Sequence, residues 1–281
     1  MAAIALALGA TLSWGVSDFF GGLMARRIAV LVVIAVSQCA GLTVIAIAVA
    51  AAGEPPPDAE FVPYAAAAGL AGVCGLASFY RGLAMGKMSV VAPISSMAVL
   101  VPVIVGLATG DRPSALQTVG ALVGIAGIVL ASREAADESE GDRRVAAGVG
   151  LALISALAFG SFFVGMDAAA DHDPLWANLV NRGTSLSLAL LAVLIFRPGF
   201  SGVGRATLPT LMTIGVLEMT ANVAFAFAAT EGLLSITSVL SSLYPVVVVV
   251  LAWLVLHERL QPSQKVGVAA ALGGVALIAG G

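Results

Sequence analysis

Of 281 residues, 60% are hydrophobic and 10% charged, against roughly 45–50% and about 25% in soluble domains, which excludes an ordinary water-soluble globule. Thirteen Lys and Arg against sixteen Asp and Glu leave a net charge of −3, so the chain has no basic footprint for nucleic acid. Ten apolar spans of ~20 residues, with short connections, would use up the length and leave no separate soluble domain.

The chain opens on an apolar stretch, Met1 to about Met24, interrupted by Asp18 and followed rather than preceded by Arg26-Arg27. That charge order predicts a first membrane span and not a cleaved signal peptide. Four charge-free stretches come next: Ile28 to Gly53, Phe61 to Tyr80, Met88 to Gly110, and Pro113 to Ser132. A polar run, Arg133 to Arg144, reads as a solvated linker. Beyond it lie Val145 to Met166, Pro174 to Phe196 with Arg182 inside, Leu208 to Thr230 with Glu218 inside, Gly232 to Leu256, and Lys265 to the C-terminus. The charge-free stretches Ile28 to Gly53, Phe61 to Tyr80, Met88 to Gly110, Pro113 to Ser132, Val145 to Met166 and Gly232 to Leu256 are each long enough to cross a bilayer as a helix, and Pro, Gly and charge clusters such as Glu54-Pro55-Pro56-Pro57-Asp58 and Arg197-Pro198-Gly199 separate the spans. The expected fold class is therefore an all-α membrane protein of ten transmembrane helices. Cys39 and Cys74 lie within apolar runs, which suggests packing residues and no disulfide scaffold.

The two sides of the linker resemble one another. Trp14-Gly15 matches Phe159-Gly160 at an offset of 145, and Ser89 with Ser95-Ser96 matches Ser235 with Ser241-Ser242 at 146. Asp111-Arg112, Gln117 and Gly120 match Glu258-Arg259, Gln264 and Gly267 at 147. Kept order with slowly drifting offsets indicates a duplicated unit: residues 1–132 and 145–281, each of five helices, joined by 133–144. Five being odd, the second copy must enter from the opposite side, giving an inverted repeat.

These residues carry a family resemblance. Two five-helix halves, Trp14-Gly15 early in the first helix, Ser241-Ser242 followed by Pro245 in the ninth, and Glu258-Arg259-Leu260, Gln264 and Gly267 before a Gly-rich last helix resemble an EamA-type carrier of the drug/metabolite transporter superfamily. The resemblance implies a secondary transporter, usually an exporter, that moves small metabolites or amphipathic compounds by alternating access through a cavity between the halves. It implies a multi-pass protein of the cell inner membrane that needs no cofactor, with a small-molecule substrate and the lipid bilayer as partners and protons as a candidate coupling ion. Gln38 stands about where such carriers often have Arg, and where the second half has Arg182.

Ionisable side chains at depth are the most informative, since placing one there costs about 2.5–3.5 kcal/mol on insertion scales and demands a partner or water. Glu218 lies near the middle of its span, with Asn222 and Phe225 on the same helix face. Asn178, Arg182 and Ser185 share a face of the preceding helix. From the shared surface, Arg182 would lie ~12 Å and Glu218 ~18 Å deep, within reach of a long side chain. Glu218, Arg182, Asn178, Asn222 and Trp14 are thus the candidate cavity or coupling residues. A permanent ion pair is the competing structural role. Asp18 and Arg81 fall at similar depth near one surface and form a candidate gate, with snorkelling to the interface as the simpler account. Pro93, Pro102 and Pro245 lie in equivalent parts of the repeat and are candidate hinges, the alternative being static kinks.

An enzyme alternative rests on Asp167-Ala-Ala-Ala-Asp171-His172-Asp173, whose i, i+4 carboxylates could hold a divalent cation in an intramembrane metal-dependent enzyme. It lacks a second acidic cluster on another helix, and a solvated helix end is the plainer reading. No metal or catalytic site is assigned. Orientation is in conflict: the basic residues concentrate on odd-numbered connections, which puts both termini outside the cytoplasm, whereas the resemblance implies cytoplasmic termini. Both arguments place the two ends on one side.

Overall fold

In the computed structural model, described for residues 1–85, 95, 97–131, 142–256 and 262–281, the chain is helical, with no strand among the described residues. The first half contributes α1 (Ala2–Ala25), α2 (Val30–Ala52), α3 (Val62–Met85), α4 (Leu100–Thr109) and α5 (Ala115–Ala131). The second contributes α6 (Asp142–Ala170), α7 (Pro174–Phe196), α8 (Leu208–Glu231), α9 (Leu234–Ser241), α10 (Tyr244–Leu256) and α11 (Pro262–Gly280). Asp142 to Arg144, expected in the linker, are the first residues of α6. The rest of that linker, Pro93 and Glu258-Arg259-Leu260 lie outside the described residues.

Local chemistry sets the helix ends. Gly53 takes a left-handed φ of 68° and returns its N–H to Val49 O, ending α2 before the proline run. Ser114 and Gln117 form a reciprocal capping box, N–H to side chain in both directions at 2.9 and 3.1 Å, ahead of α5. Asp173 accepts from the N–H groups of Leu175 and Trp176 at 2.8 Å, and Pro174 opens α7 at the position where its missing donor is harmless.

Seven described spans are long and apolar enough to cross a membrane, and three shorter apolar helices, Met97–Thr109, Ala115–Gly127 and Lys265–Ile278, accompany them. Leu12, Ile47, Leu122, Leu157, Leu194 and Phe196 stand exposed on the outer surface, as side chains facing lipid do. Cys39 and Cys74 are also exposed there, which corrects the expectation of packed thiols.

The segment from Leu234 to Val255 is not one helix. Its hydrogen bonding breaks at Ser242 and Leu243, between α9 and α10, because Pro245 has no N–H to return to the Ser241 carbonyl. At the matching place in the first half, the 3-10 turn Met97–Val99 precedes α4. Pro102 falls in the first turn of α4, where a missing donor costs little.

Packing pairs one half with the other. α1 lies on α8 as α6 lies on α3, α2 and α7 cross each other, and α5 lies against α11. A Cβ at Gly15 would come within 3.0 Å of Tyr244 O, and one at Gly160 within 2.7 Å of Ala98 O, the same contact displaced by the repeat offset. On the last helices, Gly120 faces Gly274 while Gly127 faces Gly267 and Ala271, so α5 and α11 run antiparallel through a notch where backbone meets backbone.

Candidate functional site

A cavity with room of about 60 Å³ opens where the halves cross. Its depth comes from glycine. α3 presents Gly72 and Gly75 to the rings of Phe162 and Phe159, letting α6 lay its aromatics along one wall. A Cβ at Gly215 would strike Ser37 O, so α8 and α2 approach as only glycine allows, and Gln38 and Glu218 come within reach of the same guanidinium.

That guanidinium, Arg182 on α7, is 1% exposed. Its Nη1 donates to Gln38 Oε1 and lies 3.4 Å from Glu218 Oε1. Ser185, one turn on, also donates to Gln38 Oε1 at 2.9 Å. Three helices are thereby tied through one polar knot, whose outward member is Glu218, 16% exposed at the cavity. Glu218 Oε2, Asn181 Nδ2 and Tyr244 OH are buried without a hydrogen-bond partner among the described residues, and all three residues line the cavity.

The opposing wall is aromatic. Trp14 stacks edge-on against Phe163 at 5.7 Å and Phe162 at 6.2 Å, and its Nε1–H donates to Asn222 Oδ1 at 3.0 Å. Trp14 is thus a buried cavity residue, whereas Tyr64 and Trp253 are about half exposed. Its pairing with Asn222 joins the first half to the second.

Of the residues expected from sequence, Glu218, Arg182, Asn222, Trp14 and Asp18 all line this cavity. Asn178 stands apart from the lining and donates its amide to Pro174 O, one turn back on its own helix, at 2.8 Å. The neighbouring Asn181 takes the cavity position. Asp18 accepts at 3.5 Å from the hydroxyl of Tyr80, a buried neighbour of Arg81, while Arg81 itself is exposed. Gln38, Asn181 and Tyr244 line the cavity without having been expected there from the sequence, and Tyr80 is the unexpected partner of Asp18. For Gln38 and Asn181 the available signal was an amide within an apolar helix; for Tyr80 there was none to separate it from Arg81. Around Asp167–Asp173, Asp173 is occupied as the α7 cap and His172 lies against Phe61. No group of three or more His, Cys, Asp or Glu that could hold a metal occurs among the described residues.

No curated protein matches the chain. Among solved structures, one described as "Crystal structure of protein" superposes with a TM-score of 0.81 at 18% identity, over 99% of this chain and 98% of that one; at that identity the likeness concerns the fold. The EamA-like transporter family matches twice, over residues 1–133 and again over 146–280. A duplicated helical unit, a cavity at the crossing of its copies and a family match that repeats with the duplication agree, and the chain belongs to the EamA-like transporter family.

Proposed function

We propose that this protein is a secondary carrier that exports a small metabolite or amphipathic compound across the cell inner membrane by alternating access. Ten membrane crossings, arranged as inverted repeats over 1–132 and 145–281 with 133–144 between them, would carry the cavity. The single observation that carries this reading is the cavity between the halves, with an aromatic wall, a polar wall and unpartnered groups on Asn181, Glu218 and Tyr244. The antiparallel crossing of α5 and α11 supports inversion. Ala3 beside Gly232, Asp111 bonded to Ser235, and Ser114 beside Gly281 support termini on one side.

In the mechanism, a solute enters the cavity, lays its apolar body on Trp14, Phe162 and Phe163, and offers polar groups to Asn181, Glu218 and Tyr244. Rocking of one half against the other then exposes it to the far side. Glu218 is the coupling group in this scheme: when a substrate or the moving halves part it from Arg182, its carboxyl group takes up a proton, and reclosure of the pair releases it.

Flux in proteoliposomes tests the reading, using labelled amphipaths of cationic, zwitterionic and anionic character. Saturable flux that an inward proton gradient accelerates is expected for at least one class, and loss of gradient dependence with retained exchange is expected for Glu218→Gln. Non-saturable leak equal to protein-free vesicles for every class would reject a carrier, and unchanged proton-driven flux in Glu218→Gln would reject the coupling role.

A further inference from the structure

All eight residues of α9 are buried, packed among α1, α4, α5 and α8. Four of the eight-residue helix and its cap are unusual for such a place. The hydroxyls of Ser235, Ser238, Ser241 and Ser242 are each buried without a hydrogen-bond partner among the described residues. A helical serine can bond the carbonyl one turn back, as Ser161 does to Leu157 O at 2.8 Å, and alanine would fill the same space without an unpaired polar atom. Ser235, Ser238 and Ser242 are spaced i, i+3 and i+7, so they share one face over about 10 Å of rise. Two residues past Ser242 stands Tyr244, a cavity-lining residue whose hydroxyl is likewise buried without a hydrogen-bond partner among the described residues.

The other end of the row is held shut. Asp111, just past α4, accepts from the backbone N–H of Ser235 at 2.8 Å, bonding a residue of the first half to the opening turn of α9 in the second. Gly106 makes room for the bond: a Cβ there would lie 2.5 Å from Asp111 Oδ2 and 3.0 Å from Ser235 N. At the inner end, Thr11 on α1 donates to Leu240 O at 2.5 Å, which holds α9 at the break.

We propose that the hydroxyl face of α9 is the second half of the translocation path, running from the cavity to the end of the bundle where α4 meets α9, and that Asp111 latches it closed in this conformation. The inference rests on the transport reading. Opening breaks the Asp111–Ser235 bond, water reaches the serine hydroxyls, and the polar groups of the passing solute exchange hydrogen bonds with them. Apolar packing alone needs only small residues along α9; a path needs small residues that also hydrogen-bond.

Thiol accessibility in nanodiscs tests it without knowledge of the substrate. Cys39 and Cys74 are replaced by Ala, Ser238→Cys is introduced, and a water-soluble quaternary-ammonium methanethiosulfonate is the probe. Slow labelling is expected with Asp111 present. Asp111→Ala should raise the rate about tenfold, the scale of losing one bond to a charged acceptor, and Gly106→Val should do the same by displacing the latch. Asp111→Asn, which keeps an acceptor oxygen, should stay near the parent. Ala152→Cys, buried on α6 away from the path, reports general loosening. Unchanged labelling of Ser238→Cys in both latch variants, or an equal rise at Ala152→Cys, would overturn the proposal. Either result alongside saturable flux rejects the path and latch alone; absence of flux rejects the carrier reading instead.

Discussion

Replacing Glu218 by Leu will destabilise this protein more than replacing Arg182 by Met, although both remove one member of the same ion pair. The asymmetry comes from burial: Arg182 is 1% exposed, while Glu218 keeps 16% of its surface at the cavity. Without the carboxylate, a guanidinium remains in the interior with Gln38 as its hydrogen-bond acceptor among the described residues, and an uncompensated buried charge costs about 3–5 kcal/mol. Without the guanidinium, Glu218 can be hydrated from the cavity and Gln38 still accepts from Ser185, so the loss is about 1–3 kcal/mol. The double variant Glu218→Leu with Arg182→Met should recover about 2 kcal/mol relative to additivity, since neither charge is stranded. Glu218→Gln, which keeps an oxygen facing Arg182, should fall below Glu218→Leu in cost. Tryptophan fluorescence during dodecyl sulfate titration in mixed micelles measures these differences. The reverse order of the two single variants, or strict additivity in the double, would refute the argument that the cavity solvates Glu218.

Trp14→Phe keeps the aromatic packing but strands Asn222 Oδ1, bonded to the indole at 3.0 Å, and should cost about 1–2 kcal/mol in the same titration; no loss would mean that the amide finds another donor. Gly274→Val drives a side chain toward Gly120 O, 2.7 Å from its Cβ, whereas the neighbouring Gly273 has nothing within 4 Å. The first should sharply lower the yield of monodisperse protein on gel filtration and Gly273→Val should not, equal yields arguing against a close crossing of α5 and α11. Pro245→Ala restores a donor for the Ser241 carbonyl at the break between α9 and α10, and should leave expression nearly unchanged while altering the transport rate. An unchanged rate would make the break a static kink.

Composition alone places the chain in a bilayer, because apolar runs of this length have no other stable home. Two copies of a short pattern, Trp14-Gly15 with Phe159-Gly160 and Ser95-Ser96 with Ser241-Ser242, reveal the duplication. Isolated charges in those runs point to Glu218 and Arg182, since a charge at depth needs a partner and few were available. All of this is linear information: periodicity, spacing and the cost of transfer act along the chain. What they leave open is which atoms meet. Tyr80 and Arg81 are adjacent in sequence, and the 100° step between neighbouring helix positions puts one beside Asp18 and leaves the other exposed. Asn178 and Asn181 are one turn apart and equally plausible from spacing, yet only Asn181 lines the cavity. The break at Ser242 and the row of unpartnered serines on α9 likewise depend on how the halves press together. Glycines decide that approach, because the distance at which two helices stop is set by the side chains between them, and a pattern read along one helix contains no account of the surface it meets.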